Sequence, residues 1–198
     1  MHQSKPRPNN KKQTSSGVVR IIGGEMRGRK IRFNSSKGLR PTLDRIRETL
    51  FNWLAQDIYG SECLDLFSGS GALGFEAASR GAKTVYFIEK AEPAVKALKD
   101  NCKLLNLENT KVVKSDAKTF LNHNENQFDI VFLDPPFGEG LLSNSFDALV
   151  PHLKPNALIY IEQEKSENEF VPPEDWQQLK YKSTGRFSYA LYQRAESE

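Results

Sequence analysis

From Ser61 onward the sequence swings between short runs of β-branched and aromatic residues and longer stretches with helical spacing, and this alternation leaves few folds open. Cys63 to Phe67, Thr84 to Glu89, Lys111 to Lys114, Phe128 to Leu133 and Ala157 to Glu162 read as strands. Ala72 to Arg80, Pro93 to Leu105, Ala117 to Asn122 and Leu142 to His152 read as the helices between them. Runs that are apolar on both faces are buried on both, and successive parallel strands need crossovers, so helices must cover each side of a parallel sheet. Two late runs, Gln178 to Ser183 and Tyr189 to Gln193, flank Gly185 and predict a closing antiparallel hairpin. The chain has no internal repeat.

The segment ahead of the alternating region follows other rules. Residues 1–17 are Pro, Asn, Ser, Gln and Lys with almost nothing apolar, a composition that cannot offset the entropy of ordering a chain, so a disordered basic arm is expected. Val18 to Ile22 and Lys30 to Phe33 lean to β and enclose a glycine-rich loop bearing Arg27 and Arg29, which predicts a basic hairpin in an extension over 18–41. A single domain over 42–198 then begins with a helix whose Leu43, Ile46, Leu50, Trp53 and Leu54 share one face, with Thr42 as N-cap and with Arg45 and Arg47 pointing elsewhere.

Charge sharpens the contrast. The first 47 residues hold 13 Lys and Arg against two acids, whereas the rest of the chain nets −8. A basic head on an acidic body suits a polyanion partner, because clustered cations release counterions from a phosphate backbone. With 198 residues, no continuous apolar run of membrane-spanning length and no signal-peptide pattern, one cytoplasmic domain with appendages is expected. Cys63 and Cys102 cannot build a disulfide framework, and His2, His123 and His152 form no ligand cluster with them, so a reduced, metal-free protein is expected.

The chemistry gathers at strand ends. The first sheet strand runs into Asp65-Leu66-Phe67-Ser68-Gly69-Ser70-Gly71-Ala72-Leu73-Gly74, a glycine turn that brings backbone close to a ligand at a helix N-terminus. Glu89 ends the second strand 20 residues after Gly69, where it can accept hydrogen bonds from the ribose hydroxyls of an adenosine ligand. NAD and S-adenosylmethionine (SAM) share that ribose. Asp116, followed by Ala117, stands after the third strand, placed equally for an adenine amino group or for a helix N-cap. Asp134-Pro135-Pro136-Phe137 after the fourth strand separates the two ligands: prolines remove N–H donors and leave carbonyls for a pocket, Asp134 and the Pro135 carbonyl can accept both hydrogens of an exocyclic amine, and Phe137 can stack on its base. A nicotinamide enzyme has no use for such a group.

With these motifs the chain resembles class I SAM-dependent methyltransferases acting on exocyclic amino groups. The upstream Arg40-Pro41-Thr42-Leu43-Asp44-Arg45-Ile46-Arg47-Glu48-Thr49-Leu50-Phe51-Asn52-Trp53-Leu54, following Arg20-Ile21-Ile22-Gly23-Gly24, is similar to the bacterial 16S ribosomal RNA guanine-N2 methyltransferases of the RsmD type, over about residues 18 to 195. The resemblance implies a Rossmann-like α/β fold, a seven-stranded mostly parallel sheet in the order 3-2-1-4-5-7-6 with strand seven antiparallel. It implies SAM held by Asp65, Ser68, Gly69, Ser70, Gly71, Glu89, Asp116 and Ala117, and catalysis by Asp134, Pro135, Pro136 and Phe137 without a metal. Arg20, Arg27, Arg29, Lys30 and Arg32 would hold phosphates of 16S ribosomal RNA or of the small subunit, while Arg40 and Arg47 would either join them or help close over SAM. A monomer is expected. The alternatives are an adenine-N6 or cytosine-N4 methylase of DNA or another RNA, an NAD(P)-binding oxidoreductase, and a non-catalytic RNA-binding or assembly factor.

Overall fold

The computed structural model describes residues 15–35, 43–136, 140–165, 170–185 and 187–194. Two antiparallel strands, β1 (Ser15–Arg20) and β2 (Lys30–Ser35), form the expected hairpin. β1 begins at Ser15, inside the stretch expected to be a disordered arm; the pairing of Ser15 with Ser35 extends the ladder through backbone bonds that need no apolar side chain.

The main sheet contains β3 (Glu62–Asp65), β4 (Thr84–Glu89), β5 (Thr110–Lys114), β6 (Phe128–Leu133), β7 (Leu153–Glu164), β8 (Trp176–Thr184) and β9 (Phe187–Arg194), in the order β5-β4-β3-β6-β7-β9-β8. β9 pairs antiparallel with both β7 and β8, and the remaining neighbours are parallel. This is the strand order that the resemblance implied. Crossovers run through α2 (Ala72–Ser79), α3 (Glu92–Leu104), α4 (Ala117–His123) and α5 (Leu141–Leu149). The last helix stops short of His152 and ends in a 3₁₀ turn over Val150–His152, where Pro151 lacks the N–H an α-helix would use.

Because strand side chains alternate, the sheet sorts its core into two layers. Cys63, Val85, Phe87, Ile130, Phe132, Tyr160 and Leu191 pack on one face with α2, α3, the hairpin and α1 (Asp44–Trp53). Leu64, Tyr86, Val131, Ile159 and Ile161 pack on the other with α4, α5 and Trp176. No helix among the described residues is long and apolar enough to cross a membrane.

α1 departs from expectation in three ways. Its N-cap position is Leu43, with no side-chain cap, and Thr42 lies outside the described residues. Leu43 is exposed, so the buried face is Ile46, Leu50, Phe51 and Leu54. Arg47 does not point outward: it is 1% exposed and donates to the Arg20 carbonyl at 2.7 Å and to Asp44 Oδ1 at 3.0 Å. Spacing alone counted a basic residue as surface, whereas a guanidinium with fixed acceptors can be enclosed.

Candidate functional site

The carboxyl ends of β3, β4, β5 and β6 lie side by side, and every site residue expected along that edge except Phe137 falls among the described residues. After Asp65 the chain turns through Ser68–Gly71 into α2. Gly69 and Gly71 have φ of 49° and 78°, the left-handed region in which only glycine is unstrained, and Gly71 is the N-cap of α2. The turn is pinned internally: Ser68 Oγ donates to the Asp65 carbonyl at 2.8 Å, Ser68 N–H to the Ile88 carbonyl at 3.0 Å and Gly71 N–H to the Ser68 carbonyl at 2.6 Å. Ser70 is buried.

Glu89 fastens this turn to β4. Its Oε2 accepts the Gly69 N–H at 3.0 Å and its Oε1 accepts the Ala91 N–H at 2.7 Å. A carboxylate offers about four lone-pair positions, so both oxygens keep capacity for a pair of ribose hydroxyls. Ser115 N–H donates to the Glu89 carbonyl at 3.1 Å and brings the end of β5 alongside. Asp116 is the N-cap of α4, one of the two roles expected of it, its Oδ1 accepting the Thr119 N–H at 2.9 Å, a bond that holds its carboxyl below the ordinary range. Ala117, the first residue of α4, is buried behind it.

Asp65 is enclosed and accepts the Gly74 N–H at 3.1 Å through Oδ2. Burial pushes its carboxyl up to about 8, and the charges of Asp134 and Glu89 push in the same direction. Asp134 leaves the end of β6 half-buried, with Pro135 buried and Pro136 exposed beside it. Phe137 lies outside the described residues.

Sequence reasoning passed over one neighbour. Phe132 pairs with Tyr160 and Leu133 with Ile161, so the same register carried one step further sets Asp134 across from Glu162 on β7. Glu162 is buried, and its Oε2 accepts the Tyr160 hydroxyl at 2.8 Å. The signal was available, because Glu162 ends its expected strand as Glu89 ends another.

The basic residues separate into two groups. Arg20, Arg27, Arg29, Lys30 and Arg32 are exposed on the hairpin, and Arg29 also donates to the Leu104 carbonyl at the end of α3, at 2.9 Å. A cavity of about 460 Å³ opens between hairpin and α1, with Arg20, Arg27 and Arg80 facing Asp44, Glu48 and Asn52. Arg47 is enclosed and presents no guanidinium to a phosphate, and Arg40 lies outside the described residues. Burial pushes the Cys63 thiol up to about 12 and raises that of Cys102, which suits packing thiols, not nucleophiles.

Comparison with known proteins gives a consistent picture. The family model described as "Conserved hypothetical protein 95" matches residues 19–193. The Haemophilus influenzae protein named "Ribosomal RNA small subunit methyltransferase D" is 50% identical over 185 residues, covering 90% of this chain and 95% of its own. The Escherichia coli K12 protein of the same name is 45% identical over 183 residues, covering 91% and 92%. A solved Escherichia coli structure named "Putative methyltransferase yhhF" superimposes with a TM-score of 0.83 at 45% identity, over 90% of this chain and 99% of that one.

Proposed function

The chain belongs to the family described as Conserved hypothetical protein 95, and from that membership and the strand-end geometry we propose that it transfers a methyl group from SAM to the exocyclic N2 amine of a guanine in 16S ribosomal RNA of the small subunit. The observation that carries this reading is Asp134-Pro135-Pro136 at the end of β6, next to the strand that delivers Asp65 and the Ser68–Gly71 turn.

The residues present fit SAM. Glu89 offers carboxylate capacity to the ribose, the turn offers backbone at the N-terminus of α2, and Asp116 with Ala117 closes the adenine end. When bound, SAM supplies an electrophilic methyl group on a sulfonium. Asp134 and the Pro135 carbonyl accept the two amine hydrogens, which turns the nitrogen lone pair out of conjugation with the base and toward the turn. Bond formation at nitrogen would accompany cleavage of the methyl–sulfur bond, whose electron pair stays on sulfur as a neutral thioether; the Asp134 carboxylate would stabilise the positive charge growing on nitrogen, and the proton would leave afterwards to that carboxylate or to water. Phe137 stacks on the base. A purine must leave its helix to enter such a site, which favours a guanine in a loop or bulge. The exposed arginines of the hairpin extension hold phosphates around it and add affinity with little sequence choice.

Mass-spectrometric mapping of nucleosides in 16S RNA from cells with and without the gene tests the target atom. N2-methylguanosine should vanish from one site in the deletion strain; loss of a methylated adenine or cytosine instead would replace guanine as the substrate. Asp134→Ala should lower methyl transfer by at least about 100-fold while leaving calorimetric SAM affinity nearly intact. An active variant removes Asp134 from the chemistry.

A further inference from the structure

One buried carboxyl group beside the candidate catalytic centre takes no part in the methyl transfer proposed above. Glu162 is 6% exposed on β7, on the sheet face shared by Tyr160, Phe132 and Asp65. Strand register sets it next to Asp134, and Tyr160, itself fully buried, donates its hydroxyl to Glu162 Oε2 at 2.8 Å. From β9, Tyr189 stands across from Glu162 in register, and Trp53 of α1 stacks on that tyrosine at 5.6 Å. These are aromatic neighbours, and the charge acting on Glu162 is that of Asp134. A carboxyl group enclosed this way is costly unless it serves a partner.

Resting on the proposed methyl transfer, we propose that Glu162, backed by Tyr160, is a positioning residue for Asp134, holding that carboxylate toward the amine. Burial first, and then the charge of Asp134, push the Glu162 carboxyl up to about 8, so Glu162 keeps its proton at neutral pH. The Tyr160 hydroxyl occupies one Glu162 oxygen and leaves the protonated oxygen as a donor toward β6. Above about pH 8 Glu162 ionises, the two neighbouring carboxylates repel, and Asp134 is no longer held toward the amine.

The test is incorporation of labelled methyl from SAM into small-subunit RNA by the full chain, measured for Glu162→Ala, Glu162→Gln and Tyr160→Phe. Glu162→Ala should lower kcat about 10- to 100-fold with the SAM dissociation constant changed less than about twofold, because the residue acts through Asp134 and not on the cofactor. Glu162→Gln, which keeps a neutral donor, should retain kcat near neutral pH. It should also flatten the fall in kcat expected of the unmodified enzyme above about pH 8, leaving only the part that ionisation of Asp65 beside Asp134 contributes. Tyr160→Phe should shift the midpoint of that fall. A Glu162→Ala enzyme with unchanged kcat and only a lower Tm overturns the inference, as does a Glu162→Gln profile that superimposes on the unmodified one. The measurement reads transfer to whichever atom accepts the methyl, so a different acceptor would revise the guanine reading and leave the role of Glu162 to be decided by the same curves. Absence of any transfer by the unmodified protein overturns both.

Discussion

Asp65 shows how a single enclosed side chain ties the site to the stability of the fold. An unfolded aspartate titrates near 3.8, whereas enclosure at the end of β3 moves this one up to about 8. Between those values the folded protein holds a proton that the unfolded chain releases. The sign follows: stability from this group is complete below about pH 4, declines as pH rises and is gone above about pH 8, with a limiting slope of about 1.4 kcal/mol per pH unit. Asp65→Asn retains an acceptor for the Gly74 N–H and has nothing to ionise. Its Tm should therefore fall less than that of the unmodified protein between about pH 5 and pH 8, in parallel thermal melts. Parallel curves would mean that Asp65 is charged and solvated at neutral pH. Its position at a strand end was legible from the glycine motif, but its protonation was not, because that depends on tertiary burial and on the charges of Asp134 and Glu89, which arrive from other strands.

At the level of elements, the hairpin is fastened to the domain by bonds no local pattern announces. Glu76 sits in an alanine-rich helix, yet it is fully buried: it accepts the Ile22 N–H at 2.9 Å and pairs with Arg80 at 2.8 Å, and its charge reaches Arg47. One turn later Ser79 receives the N–H of Glu25 on its carbonyl at 2.8 Å and the N–H of Met26 on Oγ at 2.9 Å, so the loop between β1 and β2 caps α2. Gly24 makes this approach possible, with φ of +73° and only 1.9 Å between the position of an added Cβ and the Ser79 carbonyl oxygen. Glu76→Ala removes the acceptor and takes that counter-charge from Arg80 and Arg47, at a cost of about 3–5 kcal/mol in urea unfolding. A loss below about 1 kcal/mol would show the network to be dispensable. Strand existence could be read because short apolar runs set between helical stretches survive in sequence; this docking could not, since its partners are 53 and 54 residues apart. The enclosure of Arg47 escaped notice for the same reason, its acceptor at Arg20 lying 27 residues away.

For the molecule as a whole, strand and helix alternation announced a parallel sheet, whereas the order β5-β4-β3-β6-β7-β9-β8 required the family resemblance, because alternation does not say on which side of the first strand each later one is laid and a terminal hairpin alone does not say which of its strands joins the sheet. The fold sets the exposed arginines of the hairpin on the helix layer formed by α1, α2 and α3, and the negative remainder of the chain carries the strand-end acids. Such polarity orients an approaching polyanion before any base is read. Neutralising Arg27, Arg29 and Arg32 to Gln should weaken RNA binding and reduce the slope of log affinity against log salt by about 0.7–0.9 for each phosphate left without its arginine, close to 2–3 for all three. Arg29 also caps α3 through the Leu104 carbonyl, so its single variant separates the two contributions: lower Tm with an unchanged slope marks a cap, and a lower slope marks a phosphate partner. If the triple variant keeps both affinity and slope, the hairpin serves the domain by covering α2 and the RNA is held by cations elsewhere.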